Sequence, residues 1–326
     1  RLLQSQGELD KAIAELEALI RAAPNNPQFV FEECEALLQR GDRDRALRLL
    51  TELEARANGD EESLSRLADF YGRIGENDKS MRVLQRLTQV GSGDPSHLVD
   101  LGDRYFQDGN TSLAVTTWKR ILTTISPRAR ALSALGDVYL EHDMADEALV
   151  ALREAVQLDP QNINYKKQLA GALERKQDRG AARQIWQELS EKARQTGDKL
   201  LARETRTHIV ALLSMEHLLE SQIPLWQSQF GAQKPDIEAG RTLAEAQIHL
   251  RKLADAEATL RRVIQLAPGD ADSYLALERV LVQGNKLQDA IAVLERLLAV
   301  DPKQARAMYQ RMSQYALQLY HDDDAI

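Results

Sequence analysis

Only one cysteine, Cys34, occurs in 326 residues, so no internal disulfide can form, and one thiol cannot complete a zinc site with histidines scattered at 97, 142, 208, 217, 249 and 321. The redox compartment is left open by that count. Aromatic residues make up 5% of the chain, and the surplus of Val, Ile, Thr and aromatics that strands need is missing. No apolar run approaches the roughly 18 residues of a membrane span, which argues against direct insertion into a bilayer. Positive charge is the scarcer sign: 42 Lys and Arg stand against 50 Asp and Glu, and the net charge of -8 opposes non-specific attraction to phosphate backbones and to nucleic acid. An initial methionine and a signal-peptide pattern are also lacking, so both ends read as cut from something longer. A soluble protein of a bacterial-type cytoplasm or periplasm is the expectation, with the compartment itself open.

What is abundant is Ala, Leu, Arg, Gln and Glu, a helix-forming composition. A chain of 326 residues exceeds the roughly 250 to 300 at which one globular core stops growing, so it is either several domains or a quasi-linear array. The stretch from Ala129 to Asn162 decides for the array. It carries two amphipathic helices, one with Leu132, Leu135, Gly136 and Tyr139 on one side, the other with Ala148, Leu152, Ala155 and Leu158. A turn at His142 to Ala145 separates them and Asp159-Pro160 stops the second. Neither helix is long enough to bury its apolar face alone, so the unit needs stacked copies of itself.

Those copies are present. Full units begin at Pro27, Glu61, Pro95, Ala129 and Ile163, each 34 residues after the last. Small residues recur in step at Ala12, Ala46, Ser80, Ala114, Ala148 and Ala182, and large ones four positions later at Leu16, Leu50, Leu84, Trp118, Leu152 and Trp186. The small ones let paired helices cross closely and the large ones fill the remaining space; Trp118, Trp186 and Trp226 are expected in the core. The step fails once, over the 40 residues from Gly197 to Asp236, which read as helices from Lys199 to Leu213 and from Leu218 to Phe230, the second interrupted by Pro224. It resumes with Ile237 to Asp270 and Ala271 to Gln304, and a last helix from Ala305 to Tyr320 runs into HDDDAI, read as the opening of another second helix. The expected organisation is thus a regular run over 1–196 with its first repeat truncated, a divergent lengthened repeat over 197–236, and further repeats over 237–326 ending in an incomplete one.

The pattern resembles the tetratricopeptide repeat, whose 34-residue unit prefers a large residue at position 4, Leu at 7, Gly or Ala at 8, Tyr at 11, Ala at 20, an aromatic or Leu at 24, Ala at 27 and Pro at 32. The unit from Ala129 meets every place, with Leu132, Leu135, Gly136, Tyr139, Ala148, Leu152, Ala155 and Pro160. The unit from Pro95 supplies Leu98, Leu101, Gly102, Tyr105, Ala114, Trp118 and Ile121, its proline displaced to Pro127. Departures are Glu33 at position 7, Cys34 at position 8 and Glu278 at position 8. The resemblance implies an all-α fold, a right-handed superhelical solenoid of stacked helix-turn-helix repeats, whose first helices line a concave groove that binds peptides, helices or partner domains.

No arrangement of residues points to catalysis, a metal or a cofactor. His208 and His217 are nine apart across a helix end. Gly91-Ser92-Gly93 is read as a connector, lacking the Lys-Ser/Thr of a phosphate loop. Glu61-Glu62 and Asp322-Asp323 are read as helix starts, where acids complement the dipole. Lys167 is read as an exposed helix residue with no catalytic role.

By the resemblance, the groove is lined by repeat positions 2, 5, 9, 12 and 13. Position 9 reads Glu35, Asp69, Asp103 and Asp137, an acidic ladder, with Phe31, Val99, Phe106 and Leu140 beside it. This suits a basic and partly apolar protein or peptide segment, steered by carboxylates and held by apolar contacts; solvation of the groove explains the acids equally well. Later the lining changes sign, with Lys167, Arg175, Arg241 and Arg279 as a second, basic patch. A carboxylate clamp with Lys at position 5 and Asn at position 9 is absent, since those pairs are Phe31/Glu35, Ser65/Asp69, Val99/Asp103 and Ser133/Asp137. The expectation is a non-enzymatic interaction scaffold or adaptor. The alternatives are a structural or self-associating assembly module, or the regulatory arm of a larger signalling protein.

Overall fold

A computed structural model describes residues 8–24, 26–57, 59–90 and 93–323. Every regular element among them is helical. The chain divides into two compact units, Arg1–Asp159 and Pro160–Ile326. In the first unit the helices are α1 (Leu9–Ala22), α2 (Pro27–Arg40), α3 (Arg43–Arg56), α4 (Glu61–Arg73), α5 (Asn77–Val90), α6 (Ser96–Gln107), α7 (Thr111–Lys119), the four-residue α8 (Ile121–Thr124), α9 (Arg128–Glu141) and α10 (Ala145–Leu158). The second unit holds α11 (Ile163–Arg175), α12 (Arg179–Thr196), α13 (Lys199–Met215), α14 (Leu219–Gly231), α15 (Ile237–His249), α16 (Leu253–Leu266), α17 (Ala271–Gln283), α18 (Leu287–Val300) and, after a 3-10 turn, α19 (Ala305–Asp323). Within each unit, helices packed most closely are neighbours in sequence, so each unit is a solenoid of helix-turn-helix repeats. None of the helices among the described residues is long and apolar enough to cross a membrane.

Local chemistry sets the boundaries. Asn26, Asp42, Asn162, Asp178, Asp198 and Asp236 each accept a bond from a backbone N–H of the first turn that follows, satisfying donors that have no partner inside the helix. The bend within each pair places one residue in the left-handed region at the same repeat position: Gly41, Gly75, Gly109, Asp143, Gln177, Arg251 and Asn285. Glycine was a legible marker of that bend in three repeats; the other repeats hold larger residues there by the packing of the two helices. Where proline stands at repeat position 32, the preceding helix stops two residues earlier, as Leu158 does before Pro160 and Leu266 before Pro268.

That rule accounts for the lengthened repeat. Arg194 replaces the proline, so α12 runs on to Thr196 and ends only at Gly197, with φ 71°. The next helix, α13, is also long, at 17 residues. The six extra residues are thus absorbed into longer helices. Pro224 does not interrupt α14, contrary to the sequence reading. Its ring is exposed while Leu219, Trp226 and Phe230 anchor the helix from its buried side, so the loss of one backbone bond is tolerated. Two further expectations fail: the second helix of the Pro95 repeat breaks at Arg120 into α7 and α8, and Asp322-Asp323 belong to α19 instead of standing at a helix start, while Asp324, Ala325 and Ile326 lie outside the described residues. Gly91 and Ser92 of the expected connector lie outside the described residues.

The core repeats with the sequence. Ala46, Ala114, Ala148 and Ala182 are fully buried, as are Leu50, Trp118 and Leu152, and Trp186 and Trp226 are buried beside them. Two departures from the repeat pattern acquire polar partners. Glu33, 2% exposed, meets Arg45 at 3.2 Å, and Arg45 also bonds Glu17. Glu278, 1% exposed, takes a bond from the Tyr315 hydroxyl and faces Arg311 at 3.5 Å, so α19 closes over a carboxylate at a place usually filled by Gly or Ala.

Candidate functional site

In the first unit, α2, α4 and α6 line a cleft of about 650 Å³. Its walls include Phe31, Glu35, Arg66, Asp69, Phe70, Arg73 and Arg104. Phe31 is 4% exposed and packs on Phe70 with ring centroids 5.8 Å apart, so it forms the floor more than a free contact surface. The guanidinium of Arg66 lies 4.5 Å above the Phe31 ring and that of Arg73 4.8 Å from Phe70. Arg73 also approaches Glu35 at 3.4 Å. Asp69 is exposed in the cleft and has no cation or hydrogen-bond donor among the described residues.

The structure separates the remaining members of the expected ladder from this cleft. Asp103 accepts from Trp118 Nε1 at 3.2 Å and from His142 Nε2 at 2.9 Å. The imidazole of His142 stacks on the Trp118 indole at 4.5 Å, and Phe106 lies against both rings. Val99, half-buried, offers its carbonyl to the same indole at 3.4 Å. Asp137 is exposed and Leu140 half-buried on α9. The four position-9 carboxylates therefore do not form one uniform wall.

The Trp118 arrangement recurs in the second unit. Glu174 accepts from Trp186 Nε1 at 2.5 Å and from His208 Nδ1 at 2.9 Å through the same oxygen, while His208 stacks on Trp186 at 4.0 Å. Burial pushes the Glu174 carboxyl up, but the bonds from His208 and Trp186 outweigh it and hold its pKa below the usual carboxylate value. His208, read from sequence as a surface or helix-end residue, is thus part of a packed polar cluster.

A larger cleft of about 940 Å³ lies among α13, α15, α17 and α19. It brings together Arg241 and Arg279 of the expected basic patch, but not Lys167 or Arg175. Lys167 instead bonds Glu204, a lining residue, at 2.7 Å, and Arg175 is exposed on α11. Arg241 is held between Asp270 and Glu238 at 2.8 Å each. Burial alone would lower its pKa, yet the two carboxylates raise it, so this guanidinium stays charged. Arg203, Arg206 and Arg311 join the lining.

Sequence reasoning missed Arg66, Arg73, Arg104, Arg203 and Arg206. Arg73 occupies repeat position 13 and was legible by the groove rule; the others reach the clefts by side-chain length from neighbouring positions.

Among the described residues, no group of three or more His, Cys, Asp or Glu side chains could hold a metal ion. Burial, reinforced by Glu33 and Glu35, pushes the Cys34 thiol up to about 12, and its Sγ lies 3.5 Å from the Ala46 carbonyl. A thiol so placed is not a thiolate nucleophile near neutral pH.

Family models for the tetratricopeptide repeat match residues 1–61 and 99–163, and a second such model matches 251–312. No curated protein sequence matches. Among solved structures, a chain of Naa15/Naa10 bound to HypK-THB aligns over 99% of this chain and 55% of its own, at 18% identity and a TM-score of 0.58. The present chain thus spans about half of that one, and the likeness is one of fold. The P58(IPK) TPR domain aligns over 98% of this chain and 96% of its own, at 12% identity and a TM-score of 0.29. For the Cut9-Hcn1 hetero-tetramer of APC/C the values are 94%, 52%, 12% and 0.30.

Proposed function

For a chain that belongs to the tetratricopeptide repeat family, as this one does, we propose a non-enzymatic scaffold that seats a segment of a partner protein against the first helices of its repeats. Repeats of this kind generally serve as protein-interaction scaffolds. The observation that carries the proposal here is the cleft across α2, α4 and α6, where Asp69 presents an exposed carboxylate with no ion-pair partner among the described residues, above a floor of the buried Phe31 and Phe70 rings. A Lys or Arg of such a segment would supply the partner that Asp69 lacks, with an apolar neighbour lying along the aliphatic stems of Arg66 and Arg73. The original ladder narrows in this reading: Asp103 serves its own Trp118 and His142, leaving Asp69, with Glu35 beside it, as the steering charge.

The test is selection of peptides from a random displayed library on the full chain. Basic, partly apolar sequences should be enriched, and Asp69→Lys should abolish their capture while circular dichroism and melting stay unchanged. Asp137→Lys, outside the cleft, should leave capture intact. Equal capture by wild type and Asp69→Lys would reject this site.

A further inference from the structure

The charges lining the second unit's cleft are not equivalent. Each lining carboxylate already has a donor: Glu204 has Lys167 at 2.7 Å, Asp272 has Arg203 at 3.2 Å, and Glu245 has Arg206 at 2.8 Å and Thr207 at 2.9 Å. Arg206, 9% exposed, also reaches Glu238, and Arg241 is engaged twice, so both are consumed in tying α13, α15 and α17 together.

Arg279 differs. It is exposed on the cleft wall and has no acceptor among the described residues. It stands at repeat position 9, the register that Asp69 holds in the first unit, with the opposite charge. Arg311, on the same cleft, is matched only at 3.5 Å by Glu278, which already bonds Tyr315. The lining itself carries five arginines against three carboxylates, in a chain whose net charge is -8. Half-buried Ile248 and Leu275 line the same walls, and Leu200 stands at 71% exposure.

An unpaired guanidinium beside aliphatic surface is suited to a planar carboxylate with an apolar neighbour, because its fork can donate two parallel bonds while the neighbour is removed from water. We propose that this cleft binds an acidic segment of a partner protein, an Asp or Glu flanked by Leu, Ile or Phe, with Arg279 receiving the carboxylate. The proposal rests on the scaffold reading above and adds the chemistry of a second partner site. A nucleic-acid strand fits less well, since closely spaced phosphates would meet Glu204, Glu245 and Asp272 in the same walls.

The same library selection, on the full chain, decides it. Expected is a second enriched set of acidic-apolar peptides whose affinity, read by fluorescence anisotropy, falls at least about fivefold in Arg279→Glu. Arg279→Lys, which keeps charge but loses the fork, should fall between, and Asp69→Lys should leave this set unaffected. Arg279 is exposed, so its substitution should leave the melting curve in place. The proposal is overturned if no acidic set emerges, if acidic peptides bind Arg279→Glu as well as wild type, or if an oligouridylate binds and displaces them. If only basic peptides sensitive to Asp69→Lys are recovered, the scaffold reading survives and this site falls; if the library yields nothing, both fall.

Discussion

At the scale of single residues, Glu174 shows how one side chain can couple packing to pH. Its lowered pKa means that the folded state releases this proton more readily than the unfolded state does. The group therefore stabilises the fold above the unfolded pKa, and that contribution disappears as pH falls through the folded value, below the ordinary 4.5. Glu174→Gln should lose roughly 1 to 2 kcal/mol at neutral pH, where a charge-assisted bond is replaced by a neutral one. It should also show a shallower loss of stability than wild type as the solution is acidified. Urea melts across that range check both statements, and parallel curves for the two proteins would show that the carboxylate is not linked to folding. Glu174 and His208 stand one 34-residue period apart, so the register makes their helices neighbours, but it could not reveal that both side chains converge on the Trp186 indole. The same limit hid which position-9 acids are free: Arg73 meets Glu35 from 38 residues away and His142 meets Asp103 from 39. A repeat register predicts which helices are neighbours, but the length and rotamer of each side chain decide which charges pair.

At the scale of elements, far more was legible, because helix pairing rests on residue size at fixed intervals. Gly102 and Gly136 occupy the place where the first helix crosses the large residue of the second. A Cβ at Gly136 would come within 2.6 Å of Leu152, and one at Gly102 would overlap the Trp118 indole. Alanine has the higher helix propensity, by about 1 kcal/mol, so an open position would gain from the exchange. Gly171 is such a position, with nothing within 4 Å of its would-be Cβ. Gly171→Ala should therefore stabilise slightly, whereas Gly102→Ala should cost about 1 to 3 kcal/mol by displacing a fully buried indole. Thermal melts of the two variants give opposite signs if the crossing distance controls the pair, and a stabilised Gly102→Ala would refute that control. At Pro224, which was misread, a buried face held a helix against local propensity, and periodicity alone does not report that.

At the scale of the whole molecule, each repeat borrows its stability from the repeats beside it, so damage should spread by adjacency within a unit. In the first unit the core cluster runs without interruption from Ile13 to Leu101, through five successive helices and into α6. Helix α6 packs on α5 and α7, and α7 with the short α8 packs on α9. If Gly102→Ala loosens the α6–α7 pair, the free energy of local opening should fall most there, less in α5 and α9, and least in α2 and α3, which share no contact with Gly102. Hydrogen exchange on the full chain, read helix by helix, measures this gradient. An array held by nearest neighbours gives protection that recovers with distance from the substitution, whereas equal acceleration from α2 to α9 would mean that the unit opens only as one body. The distinction matters for binding, because the cleft at Asp69 is built from α2, α4 and α6. A graded response would loosen its α6 wall while leaving Phe31 and Glu35 in place, so Gly102→Ala should weaken capture of a basic peptide less than Asp69→Lys does, and should do so without changing which sequences are selected.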